Sequence, residues 1–138
     1  MWAVTLLVVP LQASSGRSPF LVAAAHAAGA LVCHQRPDRS FQVAGARLPV
    51  CARCTGLYLS GAAGALAGWF GLAQLPRRRR TVFAVVALPT AVSVLGEWAG
   101  ALTSSNGLRT AAALPLGAYA GWLFVRMLRA EAPGPHAL

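Results

Sequence analysis

The chain has no lysine and only three acidic residues, Asp38, Glu97 and Glu131, among its 138 residues. Charged residues make up 11% of it, against about a quarter of a soluble domain, which argues against a surface wetted on all sides. Every cation is an arginine, twelve in all, giving a net charge of +9. These arginines form no basic stripe; they sit at the ends of apolar segments and around the cysteines. That pattern fits membrane topology and anionic headgroups, and no nucleic-acid partner is expected. The three cysteines leave one over in any disulfide scheme, and the chain is too apolar for a small secreted disulfide scaffold. Absent too are a Ser-His-Asp order, a phosphate-binding glycine loop and a dinucleotide-binding glycine pattern, which disfavours the common soluble enzymes. No basic residue precedes the apolar run over residues 2–11, so a cleavable signal peptide is not expected.

What the chain has instead is apolar length. Hydrophobic residues make up 57%, and the size suits a single integral membrane domain, residues 1–138, with a polar segment at 33–56. Three stretches approach the roughly 20 residues that a 30 Å hydrocarbon layer requires. They are residues 55–75, without charge; residues 81–102, with Glu97 near the end; and residues 108–128, with Arg109 and Arg126 near the two ends. Residues 20–33 are helix-like but short, carry His26 and are stopped by Pro37, so they read as a tilted span, a half-span or a buried helix. Residues 1–11 are too short to cross alone, and residues 12–19 read as a turn. The fold expected is an all-α, polytopic transmembrane bundle of about four helices, with room for a partial fifth. Glycines recur four apart at Gly64 and Gly68, Gly96 and Gly100, and Gly117 and Gly121, a spacing that lets helix backbones approach closely.

The Arg77–Arg80 run marks a cytoplasmic loop by the positive-inside rule. Alternate loops then put seven arginines inside (Arg17, Arg77–Arg80, Arg126 and Arg129) and five outside (Arg36, Arg39, Arg47, Arg53 and Arg109). The margin is narrow, and the reverse orientation stays open. Either way, chain direction brings four points to one side of the membrane. These are the end of the 20–33 segment, the start of the first span at Cys54-Thr55, the end of the second just after Glu97, and the start of the third at Arg109. His34, Asn106 and the arginines of the polar segment join them.

The stretch from Cys33 to Gly56 holds every cysteine, one of three histidines and four arginines. Cys51-x-x-Cys54 can offer two thiolates to one ion, and Cys33 with His34 can complete a Cys₃His set, a usual composition for structural zinc. Cys33 and His34 are adjacent, so in a helix they point about 100° apart. Both ligate only where the helix unwinds; otherwise Cys33 ligates and His34 stands beside the metal or acts as a base. Cys54 begins a helix beside Arg53, which favours a thiolate, so an exchangeable Cys51–Cys54 disulfide is an alternative. Three buried cysteines acting as small hydrophobes is the plain reading. Arg36, Arg39, Arg53 and Arg109, with Asn106, outnumber the nearby acids and suit a phosphate or carboxylate, a lipid phosphate being the natural membrane candidate. Ordinary headgroup contact is the bland counterpart. Glu97, the acid within a span, is a candidate general base with His34, or simply the partner of Arg109 in an ion pair. His26 reads as a packed helix histidine, His136 as part of a Pro- and Gly-rich tail, and the Trp and Tyr residues as interfacial anchors.

The residues from Cys33 to Phe41 and from Pro49 to Tyr58 resemble the mark of a family of small bacterial and archaeal multi-pass membrane proteins classed as a domain of unknown function. That mark is Cys-His-Gln-x-Pro-x-Arg-Ser-Phe followed by Pro-Val-Cys-Ala-Arg-Cys-Thr-Gly-x-Tyr. A second element of the family, near Ser-x-Asn-x-x-Arg, is similar to Ser104, Asn106 and Arg109. Where many members carry Asp-Gly and Gln, this chain has Ala91 to Ser93 and then Glu97. The resemblance implies a membrane protein with a shared polar site and supplies no activity. The expectation is therefore a multi-pass protein of a bacterial cytoplasmic (inner) membrane. It is expected to bind zinc through Cys33, His34, Cys51 and Cys54 beside an arginine anion site, and to act on a phosphate-bearing lipid. A membrane thiol-disulfide protein and a non-catalytic, metal-stapled subunit are the alternatives.

Overall fold

The computed structural model describes residues 2–16, 18–72 and 76–131. Arg17, Leu75 and His136 lie outside the described residues. Helices dominate: α1 (Trp2–Ser15), α2 (Pro19–Ala30), α3 (Ala52–Trp69), α4 (Arg79–Trp98) and α5 (Asn106–Glu131). Between α2 and α3 stand a single 3₁₀ turn (Pro37–Arg39) and a small hairpin of β1 (Gln42–Val43) and β2 (Ala46–Arg47).

α1 runs on through residues 12–15, where the sequence suggests a turn. The Ser14 and Ser15 hydroxyls donate back to the carbonyls of Leu11 (3.0 Å) and Gln12 (3.1 Å), and the chain turns only at Gly16, whose φ is +64°. Pro19 opens α2 at a position where its missing N–H costs nothing. The hairpin departs from a purely helical fold. Its antiparallel register pairs Gln42 with Arg47 and Val43 with Ala46. Ala44 and Gly45 take φ of +51° and +78°, the left-handed pair that a two-residue turn between twisted strands requires.

The centre of the molecule is the α3–α5 pair, and glycine makes it. A Cβ on Gly64 would fall 1.9 Å from the carbonyl oxygen of Ala118, and one on Gly121 would fall 2.0 Å from that of Gly61. Backbones this close exchange dispersion contacts along their length, which is what holds helices together where lipid offers no hydrophobic driving force. Gly96 and Gly100, though four apart, do something else. Gly100 (φ +72°) lies beyond α4 and ends it. The Ala101 N–H bonds to Gly96 O (2.9 Å) and the Gly100 N–H to Glu97 O (3.2 Å), a Schellman stop. Gly71 ends α3 in the same way, so that helix stops at Trp69 and not at the expected residue 75. α4 leans on α5, where the Thr90 hydroxyl donates to Ala112 O at 2.8 Å; Ser93 and the Glu97 side chain are buried on it.

Among the described residues, α4 and residues 106–130 of α5 are long and apolar enough to cross a membrane. The sequence suggests a third such span, but Arg53, Thr55, Ser60 and four glycines leave α3 less apolar than these two. α2, at 12 residues, is about 18 Å long and falls well short.

Candidate metal and anion site

The site begins where α2 stops. The Cys33 N–H still reaches Gly29 O (2.9 Å), and two residues later Gln35 adopts a φ of +47° and reverses the chain. Its side-chain amide donates to His26 O and to Pro49 O, both at 2.6 Å, tying the end of α2 to the segment that leads into α3. Gly29 permits the crossing, since a Cβ there would sit 2.2 Å from Pro49 O. This stitch sets Cys33 opposite Cys51, whose N–H donates to Cys33 Sγ at 3.1 Å. Cys51 is the residue that caps α3, and Cys54 follows three positions on, along the same helix face.

The three sulfurs of Cys33, Cys51 and Cys54 lie within 4.8 Å of one another, and all three cysteines are free thiols. Leu6 and Val50 are fully buried against Cys33, and Tyr58 packs alongside. A zinc–sulfur bond of about 2.3 Å places tetrahedral sulfurs about 3.8 Å apart, so the triangle needs only a slight closing to fit an ion. The N–H directed at Cys33 Sγ is the kind of support a thiolate ligand receives from its surroundings. A hydrogen bond from Cys54, outweighing the effect of burial, brings the Cys51 thiol down to about 5. Cys54 thereby favours the thiolate form of Cys51. His34 does not join the sulfurs. It is exposed and lines the adjoining cavity; both residues lie beyond the end of α2, so the chain is unwound there, yet Cys33 alone turns inward to the sulfurs.

That cavity, about 400 Å³, is walled by Cys33, Cys51 and Cys54 and by Arg36, Arg39 and Arg53, with Val32, His34 and Leu57 completing it. Behind it stands Glu97, whose side chain is 5% exposed. Its Oε1 accepts from Arg109 Nε (2.9 Å) and Arg53 Nη2 (3.3 Å), and Arg39 Nη1 lies 3.7 Å from Oε2. A carboxylate held by three guanidinium groups is a poor proton acceptor and a good organiser of arginines. Arg109 also donates to Asn106 Oδ1 (3.0 Å), and Asn106 Nδ2 donates to Ser40 O (3.3 Å). Arg109 and Asn106 are not among the residues that wall the cavity; they reach it through Glu97 and Ser40. Arg36 is paired with Asp38 at 3.4 Å.

Four polar atoms here are buried without a hydrogen-bond partner: Arg39 Nε, Arg53 Nε, Glu97 Oε2 and, beside that carboxylate, Ser104 Oγ. Two contributors escaped the sequence reading. Ser93 accepts from Arg53 Nη2 at 2.8 Å; its position one helical turn before Glu97 was the available signal. Gln35, for its part, acts through a left-handed backbone that no periodicity reveals.

A family described as a predicted membrane protein (DUF2085) matches residues 33–123. An uncharacterized protein of Methanothermobacter thermautotrophicus is 33% identical over 90 residues, covering 62% of this chain and 78% of the relative. An uncharacterized protein of Methanocaldococcus jannaschii is 46% identical over 39 residues, 28% of this chain and 25% of that protein's own length. Both relatives are archaeal. No solved structure matches the chain.

Proposed function

The chain belongs to the DUF2085 family of predicted membrane proteins, and on that premise we propose that it is a one-domain, multi-pass protein of the cytoplasmic membrane that holds zinc beside an anion site. Cys33, Cys51 and Cys54 hold the ion, and Arg36, Arg39 and Arg53 receive a phosphate-bearing ligand, a lipid phosphate being the natural one. The observation that carries this reading is the sulfur triangle, with edges no longer than 4.8 Å, opening onto an arginine-lined cavity. About four helices form the membrane bundle. α3, α4 and α5 cross or nearly cross, and α1 with α2 makes a shorter hairpin beside them. Large apolar side chains facing outward support it: Phe20, Leu31, Leu88, Trp98 and Phe124 are all more than half exposed, as lipid-facing residues are.

Bound zinc would supply Lewis acidity beside the anion. Glu97 keeps Arg39, Arg53 and Arg109 oriented. His34, at the cavity wall, is the side chain available to exchange a proton with a ligand there.

The test is metal analysis by elemental mass spectrometry on untagged protein in detergent, beside a Cys51→Ser/Cys54→Ser double variant. Near-stoichiometric zinc that the variant loses is expected. Metal-free protein in both preparations would overturn the metal site. It would favour instead a thiol-disulfide protein, a reading supported by the lowered Cys51 thiol beside Cys54. Trapping a Cys51–Cys54 disulfide in cells would then be the expected result.

A further inference from the structure

Three protein ligands leave a tetrahedral ion one position short. Among the described residues, no fourth cysteine, histidine or carboxylate joins the sulfur triangle. The cavity beside the sulfurs is also lined by Arg39 and Arg53, each of which keeps a buried Nε–H that makes no hydrogen bond. Glu97 engages these arginines through their Nη atoms only, and the exposed Asp38 carboxylate, 3.6 Å from Arg39 Nε, is beyond hydrogen-bond length, so neither carboxylate takes the Nε–H donors in a hydrogen bond.

We infer that the cavity binds a terminal phosphate group, a phosphate monoester or free phosphate, which spans the metal ion and the Nε–H donors of Arg39 and Arg53. This rests on the metal reading above. The match is one of oxygen count. One oxygen completes the ion and one goes to each orphan N–H, so three unesterified oxygens are needed. A phosphodiester offers two. Charge agrees: one Zn²⁺ with three thiolates carries one negative charge, while Arg36, Arg39, Arg53 and Arg109 exceed Asp38 and Glu97 by two, leaving the site positive before the ligand enters. The rim is apolar on one side, with Val32 exposed and Leu57 half-buried. An ester carrying a hydrocarbon tail can lie along it.

Cobalt-substituted protein in detergent tests this. Thiolate-to-cobalt charge-transfer absorption reports the sulfur ligands, and the visible ligand-field bands report the fourth position. The probes are inorganic phosphate, a short-chain phosphatidate and, as the diester control, phosphatidylcholine. The expected result is a saturable shift of the ligand-field bands with the first two and none with the third, the charge-transfer band staying fixed. Arg53→Lys keeps the charge and removes the Nε–H; it should weaken phosphate about tenfold or more, with Arg39→Lys alike. Charge-transfer absorption in these variants shows that the site has folded. Tighter binding of phosphatidate than of phosphate assigns the ligand to the bilayer, and equal binding assigns it to solution; both uphold the proposal. Ligand-field bands indifferent to phosphate, or altered by His34→Ala before any phosphate is added, would overturn it while leaving the metal site standing. Failure of the metal reading is distinguishable, because no charge-transfer band would appear at all.

Discussion

Glu97 shows how far a single residue can be read from its neighbours in the chain and where that reading stops. As the acid within a span it reads as a candidate general base or as the partner of Arg109 in an ion pair, and that pair is present at 2.9 Å. Its second and third partners, Arg53 and Arg39, are 44 and 58 positions away in sequence, and only the folded chain joins them. Glu97→Gln should leave the sulfur triangle and its metal in place while three guanidinium groups lose their counter-charge. The expected cost is about 3–5 kcal/mol of stability, read as a lower thermal midpoint in detergent at unchanged metal content. Cys51 carries the second prediction. Its thiol is lowered from an ordinary 9.0 to about 5, so the thiolate contribution to stability is complete above pH 9 and is lost as pH falls toward 5. In reduced, metal-free protein, alkylation of Cys51 should change little between pH 8 and pH 6. An ordinary thiol slows on the order of 100-fold over that range. A rate that drops for Cys51 as for a free thiol would show that Cys54 does not support the thiolate.

Among the elements, the three cysteines and the order of the spans were readable because residue type and chain direction carry that information. Helix ends were not. Hydropathy continues through Phe70 and Leu72 and through Ala99 and Leu102, yet Gly71 and Gly100 end the helices by backbone conformation alone. The spacing of four is likewise ambiguous until the neighbour is known. Gly64 faces the Ala118 carbonyl, whereas Gly96 faces the flexible end of Leu102. Thermal unfolding in detergent should rank the substitutions accordingly. Gly64→Val, driven into backbone, should cost about 3 kcal/mol or more. Gly100→Ala should cost about 1 kcal/mol for its left-handed conformation, there being nothing within 4 Å of its Cβ. Equal effects would mean that the α3–α5 contact is looser than the close backbone approach implies.

The whole molecule has two unlike ends. One gathers the sulfurs, Glu97 and its arginines. The other gathers Arg79, Arg126 and Arg129 with an aromatic set, in which the Arg129 guanidinium lies 5.3 Å over the Trp69 ring and the Trp122 indole donates to Leu72 O at 2.8 Å. With seven arginines assigned inside and five outside, the rule predicts that the cysteines face outward. A membrane-impermeant thiol reagent should then label metal-stripped protein in intact cells and not in sealed inverted vesicles; the opposite pattern would reverse the topology. The charge count is close because the site itself is rich in arginine, so ligand chemistry and topology compete for the same residue type.

Leu6, fully buried against Cys33 and Val50, lies upstream of the stretch that matches the family, residues 33–123. It forms the floor of the sulfur triangle. A chain trimmed to residues 33–123 would keep every proposed ligand and lose the stopper beneath them. It should retain the α3–α5 pair yet leak its metal faster to a chelator than the full chain. Leu6→Ala in the full chain, which leaves α2 and its Gln35 stitch in place, should leak metal faster in the same assay; that outcome would mean that possession of the ligands and retention of the ion are encoded in separate parts of the sequence.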